Sequence, residues 1–147
     1  MWYNFFNMNI EKLTLAGHGQ TISIQSRILR VVDNVQVELK GGEVQHWLYC
    51  DSDFLLVVVP ETEEISLYTR IEEELEIDDE QVSYGGDDYE FSYEDSGIES
   101  KEDPVPISFK DYESDKSERI RVLTNEDSGD VSYYEGMTLT EDDIISD

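Results

Sequence analysis

Carboxylates are the residues of this sequence most able to do chemistry. The 147-residue chain carries 36 Asp and Glu against 10 Lys and Arg, a formal net charge of −26. The densest patch is SYGGDDYEFSYEDSG, Ser83 to Gly97, where five acids alternate with Tyr84, Tyr89, Phe91 and Tyr93. Such a patch could bind a cation, work as acid and base, or present a negative field. A calcium loop of the EF-hand type needs oxygen ligands at alternate positions, a central glycine and a closing glutamate between two helices. The stretch from Asp51 lacks the glycine and the helices. The stretch from Asp87 places Ser92 where the glycine belongs, and the one from Asp127 is too short in ligands. Metal and cofactor are therefore both expected to be absent, beyond loose condensation of cations on the surface.

Acid/base catalysis by paired carboxylates needs an assembled site. In a chain this acidic, pairs arise by composition alone, and none comes with a site motif. His18 sits in the turn-like AGHGQ and His46 on a strand-like stretch; neither accompanies a nucleophile motif. There is no phosphate-binding loop or dinucleotide fingerprint. Cys50 is the only cysteine, so no intrachain disulfide is possible; it reads as a small buried residue on a strand in a reducing compartment. No enzyme is expected, and no catalytic residue is named. The opening MWYNFFNMNI lacks the basic region and long apolar run of a signal peptide, and no stretch has the length of a membrane span. The expected location is the cytoplasm.

Charge is unevenly placed. Residues 1–59 hold six acids and four bases; residues 60–147 hold thirty acids and six bases. No basic stripe is present to neutralise phosphates, so direct nucleic-acid binding is not expected. Three readings of the acidity compete: a surface for a basic protein partner, a mimic of nucleic-acid charge, or a salt-adapted surface. Asp87, Asp88, Glu90, Glu94, Asp95 and Glu99 are the candidate partner-binding residues.

The elements that would position these residues are strands. TISIQSRI alternates as one strand with Ile22, Ile24, Ser26 and Ile28 on one face; NVQVEL alternates likewise. KGGE at 40–43 predicts a hairpin turn into VQHWLYC, and DSD turns the chain into the apolar FLLVVV. PETE turns it again into ISLYTRI. IEEELEIDDE fits a strand or an extended connector, with a helical turn as the alternative. Gly85-Gly86 predicts a turn, after which Tyr89, Phe91 and Tyr93 share one inward face. Gly97 to Pro106 is expected to be a mobile loop. RIRVLT, NEDSGD and VSYYEG predict a further hairpin, and no tandem repeat is visible. The expected fold is a single all-β domain over residues 1–147, an antiparallel sandwich or partly open barrel built from hairpins, with loose termini at 1–8 and 141–147.

The order of GHGQTISIQSRI, HWLYCDSDFLLVV, VSYGGDDYEFSYEDSG and IRVLTNEDSGDVSYYEGMTLTEDDI resembles the bacterial and archaeal domain-of-unknown-function family 4178, over residues 15–145. The resemblance implies a β-rich accessory domain with no catalytic residues to carry over. Trp47, Tyr89 and Gly136 would be its pattern residues, with structural roles. The extreme acidity departs from that pattern. The function expected is a non-enzymatic accessory or interaction domain with a strongly acidic surface. The alternatives are a DNA-mimic inhibitor of a basic nucleic-acid-binding protein and an ordinary domain with a salt-adapted surface.

Overall fold

A computed structural model describes residues 6–7, 10–78 and 80–146. The described residues are all-β apart from one short helix and a single 3-10 turn at Glu141–Asp143. The first half runs β1 (Phe6–Asn7), α1 (Ile10–Thr14), β2 (Thr21–Ile24), β3 (Arg27–Leu39), β4 (Val44–Cys50), β5 (Phe54–Val59) and β6 (Glu64–Ile71). The second half runs β7 (Ile77–Asp78), β8 (Gln81–Tyr84), β9 (Asp87–Ser100), β10 (Val105–Glu113), β11 (Arg119–Asn125), β12 (Val131–Leu139) and β13 (Ile144–Ser146).

All pairings are antiparallel, and the sheet closes on itself. β3, β4, β5 and β6 form one meander; β9, β10, β11 and β12 form another. β6 joins β12 and β3 joins β9, so these eight strands make a barrel. Closure removes the free edges that an open sheet would expose. β2, β13 and β1 extend from the first half as one flap, and β8 and β7 extend from the second as another.

Two bulges let the long strands serve both barrel and flap. The β3–β4 register slips at Val32, and the β9–β10 register slips at Ser92. An extra residue on one strand reverses which side chains face inward beyond it, because strand side chains alternate with a period of two. On β3, Leu29 and Val31 therefore face the outer cluster, while Val37 and Leu39 face the barrel interior. On β9, Tyr89 is buried in the outer cluster and Phe91 meets Tyr112 on that same side, whereas Tyr93 lies against the interior Phe109. The aromatic trio thus does not share one face, as simple alternation predicted.

The two halves repeat one plan, which the sequence does not display. Each has a four-residue strand, a two-residue turn, a long strand bulged at its sixth residue, and three more strands. Register equates Trp47 with Phe109, Tyr68 with Tyr134, Leu55 with Arg121 and Tyr49 with Asp111. Both seams obey the same local two-fold: one is centred on Glu38 opposite Ile98, the other on Thr69 opposite Glu135. Equivalent aromatics meet inside, with ring centroids 6.0 Å apart for Trp47–Phe109 and 6.4 Å for Tyr68–Tyr134.

Three apolar clusters follow. The interior one holds Val37, Leu39, Trp47, Leu55, Tyr68 and Phe109 among others. The second lies outside β4–β6, where α1 and the first flap cover Leu48, Leu56, Val58 and Leu67. The Asn34 amide donates to the carbonyls of Thr14 (3.0 Å) and Ala16 (2.8 Å), fixing the end of α1 to the barrel. The third, with Ile71, Leu75, Val82, Tyr89 and Tyr112, lies under the second flap.

Several sequence expectations need correction. TISIQSRI is not one strand: Gln25 and Ser26 both take positive φ and form the tight turn between β2 and β3. Polar residues adopt this conformation less readily than glycine, so no glycine signalled it. The equivalent turn uses Gly85 and Gly86, as expected. Residues 97–106 are not a loop: 97–100 complete β9, Val105 opens β10, and only 101–104 turn. Nor is 141–147 loose through Ser146, since β13 pairs with β2 and β1. Residues 1–5, 8–9 and 147 lie outside the described residues. The segment 72–76 is an irregular connector, neither strand nor helix, leading into β7.

Two glycines make closure possible. A Cβ on Gly97 would collide with the backbone carbonyl of Glu38 across the β3–β9 seam, and one on Gly136 would enter the Tyr68 ring across the β6–β12 seam. Gly136→Ala should therefore destabilise the fold by about 1–3 kcal/mol, the usual cost of overpacking. In a Tyr68→Ala background the same change should cost much less, and a denaturant double-mutant cycle reads this coupling. Cys50 is buried, and burial followed by the charge of Asp51 pushes its thiol up to about 12. The native protein should resist aromatic disulfide reagents at mildly alkaline pH, with modification appearing only as denaturant unfolds it.

Candidate functional site

The bulge at Ser92 also decides where the six candidate acids go. Asp87 pairs with Lys116 at 3.4 Å, and Asp88 accepts from the Ser83 hydroxyl at 2.7 Å. Glu90 and Glu94 are exposed. Past the bulge, the odd-numbered residues turn inward. Asp95 accepts a hydrogen bond from Tyr93, which together with burial pushes the phenol up to about 12. Glu99 is 5% exposed and accepts from the Tyr49 hydroxyl at 2.7 Å, with Lys101 3.9 Å away. Glu99 is therefore a barrel-interior group and not part of a docking surface. The six acids do not form one face.

Trp47, Tyr89 and Gly136 occupy structural positions. Trp47 is fully buried in the barrel, and its indole N–H donates to Gln45 at 3.0 Å. Tyr89 lies under the second flap, with its hydroxyl 3.5 Å from Glu135. His18 is exposed, and His46 lies on the outer wall of β4, where burial lowers its pKa. Among the described residues no three His, Cys, Asp or Glu side chains gather to hold a metal ion. No helix among them is long and apolar enough to cross a membrane.

The polar centre of the molecule is one that the sequence did not announce. β11 runs Arg119, Arg121 and Leu123 along its inner face, and β10 presents Asp111 directly opposite Arg121. Arg121 Nε and Nη2 donate to the two Asp111 oxygens at 2.8 and 2.9 Å. The pair is buried, with Arg121 only 4% exposed. Its guanidinium lies over Phe109 (4.0 Å), Tyr68 (4.8 Å) and Trp47 (5.7 Å). Burial works against this charge; Tyr68 and Asp111 outweigh it, so the Arg121 pKa lies above its ordinary value. Next to it, Arg119 donates to the Tyr68 hydroxyl at 3.0 Å and reaches Glu113 at 3.8 Å.

These groups stand at one end of the barrel, around a cavity of about 300 Å³. Gln45, Ser66, Tyr68, Tyr93, Asp111 and Arg121 line it, and Glu43 and Glu64 stand at its rim. A sequence signal existed in RIRVLT, where two arginines share a strand face with leucine. Asp111 could be matched to Arg121 only once the β10–β11 register was known. Comparison with protein-family models, curated proteins and solved structures returned no match.

Removing one partner of a buried pair leaves the other charge unpaired. Asp111→Ala should cost about 3–5 kcal/mol. Replacing both members, as Asp111→Leu with Arg121→Met, should recover most of that loss in denaturant unfolding.

Proposed function

We propose that this protein is a non-enzymatic interaction domain that receives a basic protein partner on the acidic surface of its second flap. The observation that carries this reading is Phe91, 41% exposed in a shallow depression lined by Asp78, Glu80, Gln81 and Glu90. An exposed aromatic ring among carboxylates suits a Lys or Arg side chain: the ring face attracts the cation, and the carboxylates supply hydrogen bonds and field. Tyr112 meets the Phe91 ring edge-on at 6.0 Å, so the ring is held in place before a partner arrives. Presenting it this way lowers the ordering cost of binding. The net charge of −26 would steer a basic partner to the surface and make association sensitive to salt.

The test is titration of a fluorescent Lys/Arg-rich peptide at low and high salt. Phe91→Ala and Glu90→Gln should each weaken binding about threefold to tenfold, and high salt should weaken it further. A surface of general acidity would give equal affinity for wild type and Phe91→Ala, which would sink the specific reading. Capture of a nuclease that duplex DNA displaces would favour nucleic-acid mimicry instead. A large gain in melting temperature in concentrated salt, with no peptide binding, would favour salt adaptation.

A further inference from the structure

The repeated plan leaves one outer face uncovered. In the first half, Ile10 and Leu13 of α1, with Ala16 just beyond it, pack over Leu56, Val58, Ile65 and Leu67, and all of these side chains are buried. Register places Val122, Thr124, Val131 and Tyr133 at the equivalent positions of the second half. No helix covers them among the described residues. β7 ends at Asp78 and β8 begins at Gln81, so the chain leaves no room there for a counterpart of α1. The result is a groove of about 610 Å³, floored by these four residues and lined also by Ile77, Lys110 and Tyr112. Val131 is 44% exposed, whereas its counterpart Ile65 is 1% exposed.

The residues around the groove differ from those around α1 in a way that selects the occupant. In the first half, the Asn34 amide donates to the carbonyls of Thr14 and Ala16 and so holds the end of α1. The equivalent of Asn34 is Glu94, which lines the groove. A carboxylate only accepts, so an occupant must bring a donor to the point where α1 brings carbonyls. A second copy of α1 would set its carbonyl oxygens against this charge. Lys110, at the position of Leu48, stands opposite Glu94 across the β9–β10 ladder. On the other side of Val131 and Tyr133, an adjoining depression is lined by Glu72, Glu73 and Glu74. From Ile71 to Ser100 the chain has no Lys or Arg.

We infer that this groove is the docking site for a short amphipathic helix of a basic protein partner. Its apolar face lies on Val122, Val131 and Tyr133, as α1 lies on their counterparts. Its Lys or Arg side chains reach Glu94 on one side and Glu72, Glu73 and Glu74 on the other. A helix laid into an apolar groove is a common way of recognising a peptide segment. The partner is the basic one proposed above, so the site rests on that reading. Tyr112 lines the groove and also meets Phe91 edge-on, so the two contacts adjoin.

The probe is a fluorescent peptide of lysine, alanine and leucine, with its leucines at the i, i+3, i+4, i+7 spacing of one helix face. Its control has the same composition with the leucines spread around the helix. Anisotropy titration should give the patterned peptide about tenfold higher affinity, from apolar burial that the control does not match. In NMR it should shift the amides of Val122, Val131 and Tyr133. Val131 is exposed, so Val131→Asp should leave the fold intact and remove the preference. Glu94→Asn, which copies Asn34, should weaken the patterned peptide about threefold. Equal affinity of the two peptides overturns the groove; if Phe91→Ala still weakens both, the acidic-flap reading stands without it. A preference for the patterned peptide, with affinity untouched by Phe91→Ala, supports the groove and removes the flap reading. Binding of neither peptide overturns both. A dimer in sedimentation that Val131→Asp dissociates would assign the groove to a second copy and overturn the basic partner there.

Discussion

The structure depends on a reversal of face at two residues, Val32 and Ser92. A closed barrel whose wall also carries outer layers must bury side chains on both surfaces of the same strand. On β3 and β9 a single set of alternate residues serves first the outer layer and then the interior, which straight alternation would not allow. The bulges let the first part of β3 cover α1 and its flap while the remainder lines the barrel, and β9 does the same on the other side. If either bulge were removed, every residue beyond it would exchange inside for outside. On β9 that would put Tyr93, Asp95 and Glu99 outside and bring Glu94 and Ile98 in. The polar interior therefore follows from the register as much as from residue type.

That interior is built by two equivalent halves with unlike chemistry. Trp47 and Phe109 meet near the two-fold, as do Tyr68 and Tyr134, and together they form an aromatic centre. Onto it the second half adds Arg121 and Asp111, where the first half has Leu55 and Tyr49. Burying an ion pair carries a large desolvation cost, offset here by two charge-assisted hydrogen bonds and by three aromatic rings near the guanidinium. A leucine at the same depth would have avoided that cost. Retention of the pair at one end only makes that end chemically distinct from its counterpart.

The all-β class, the hairpins at KGGE, YGGDD and NEDSGD, and the buried FLLVVV strand were legible because period-two patterns and glycine turns act locally. The turn at Gln25-Ser26 was not, since polar residues in left-handed conformation leave no clear mark. The bulge at Ser92 was equally silent: EFSYED alternates as cleanly as any straight strand. The stretch 97–106 reads as a loop because its residues are polar, yet Gly97 is there to allow the backbones of β3 and β9 to approach. The repeated plan was hidden because equivalent positions differ in residue type, as in Trp47 and Phe109 or Leu55 and Arg121. The Arg121–Asp111 pair spans two strands, and only their register brings its members together.

The repeated plan also bears on the acidity. The repeated unit in the first half, residues 21–71, holds eight acids and four bases; its counterpart, 81–139, holds sixteen acids and five bases. Both build the same strands, turns, bulges and seams. The architecture therefore does not need the extra carboxylates, and mutual repulsion among them works against the compact state. Adaptation to salt acts on all exposed surface and would acidify both units alike. The acids are unevenly spread beyond the two units as well, since the connector at 72–80 alone adds seven. Asp78 and Glu80, which stand beside the exposed Phe91, belong to that connector, whereas most acids of the second unit lie beyond the flap, along the later strands and their turns.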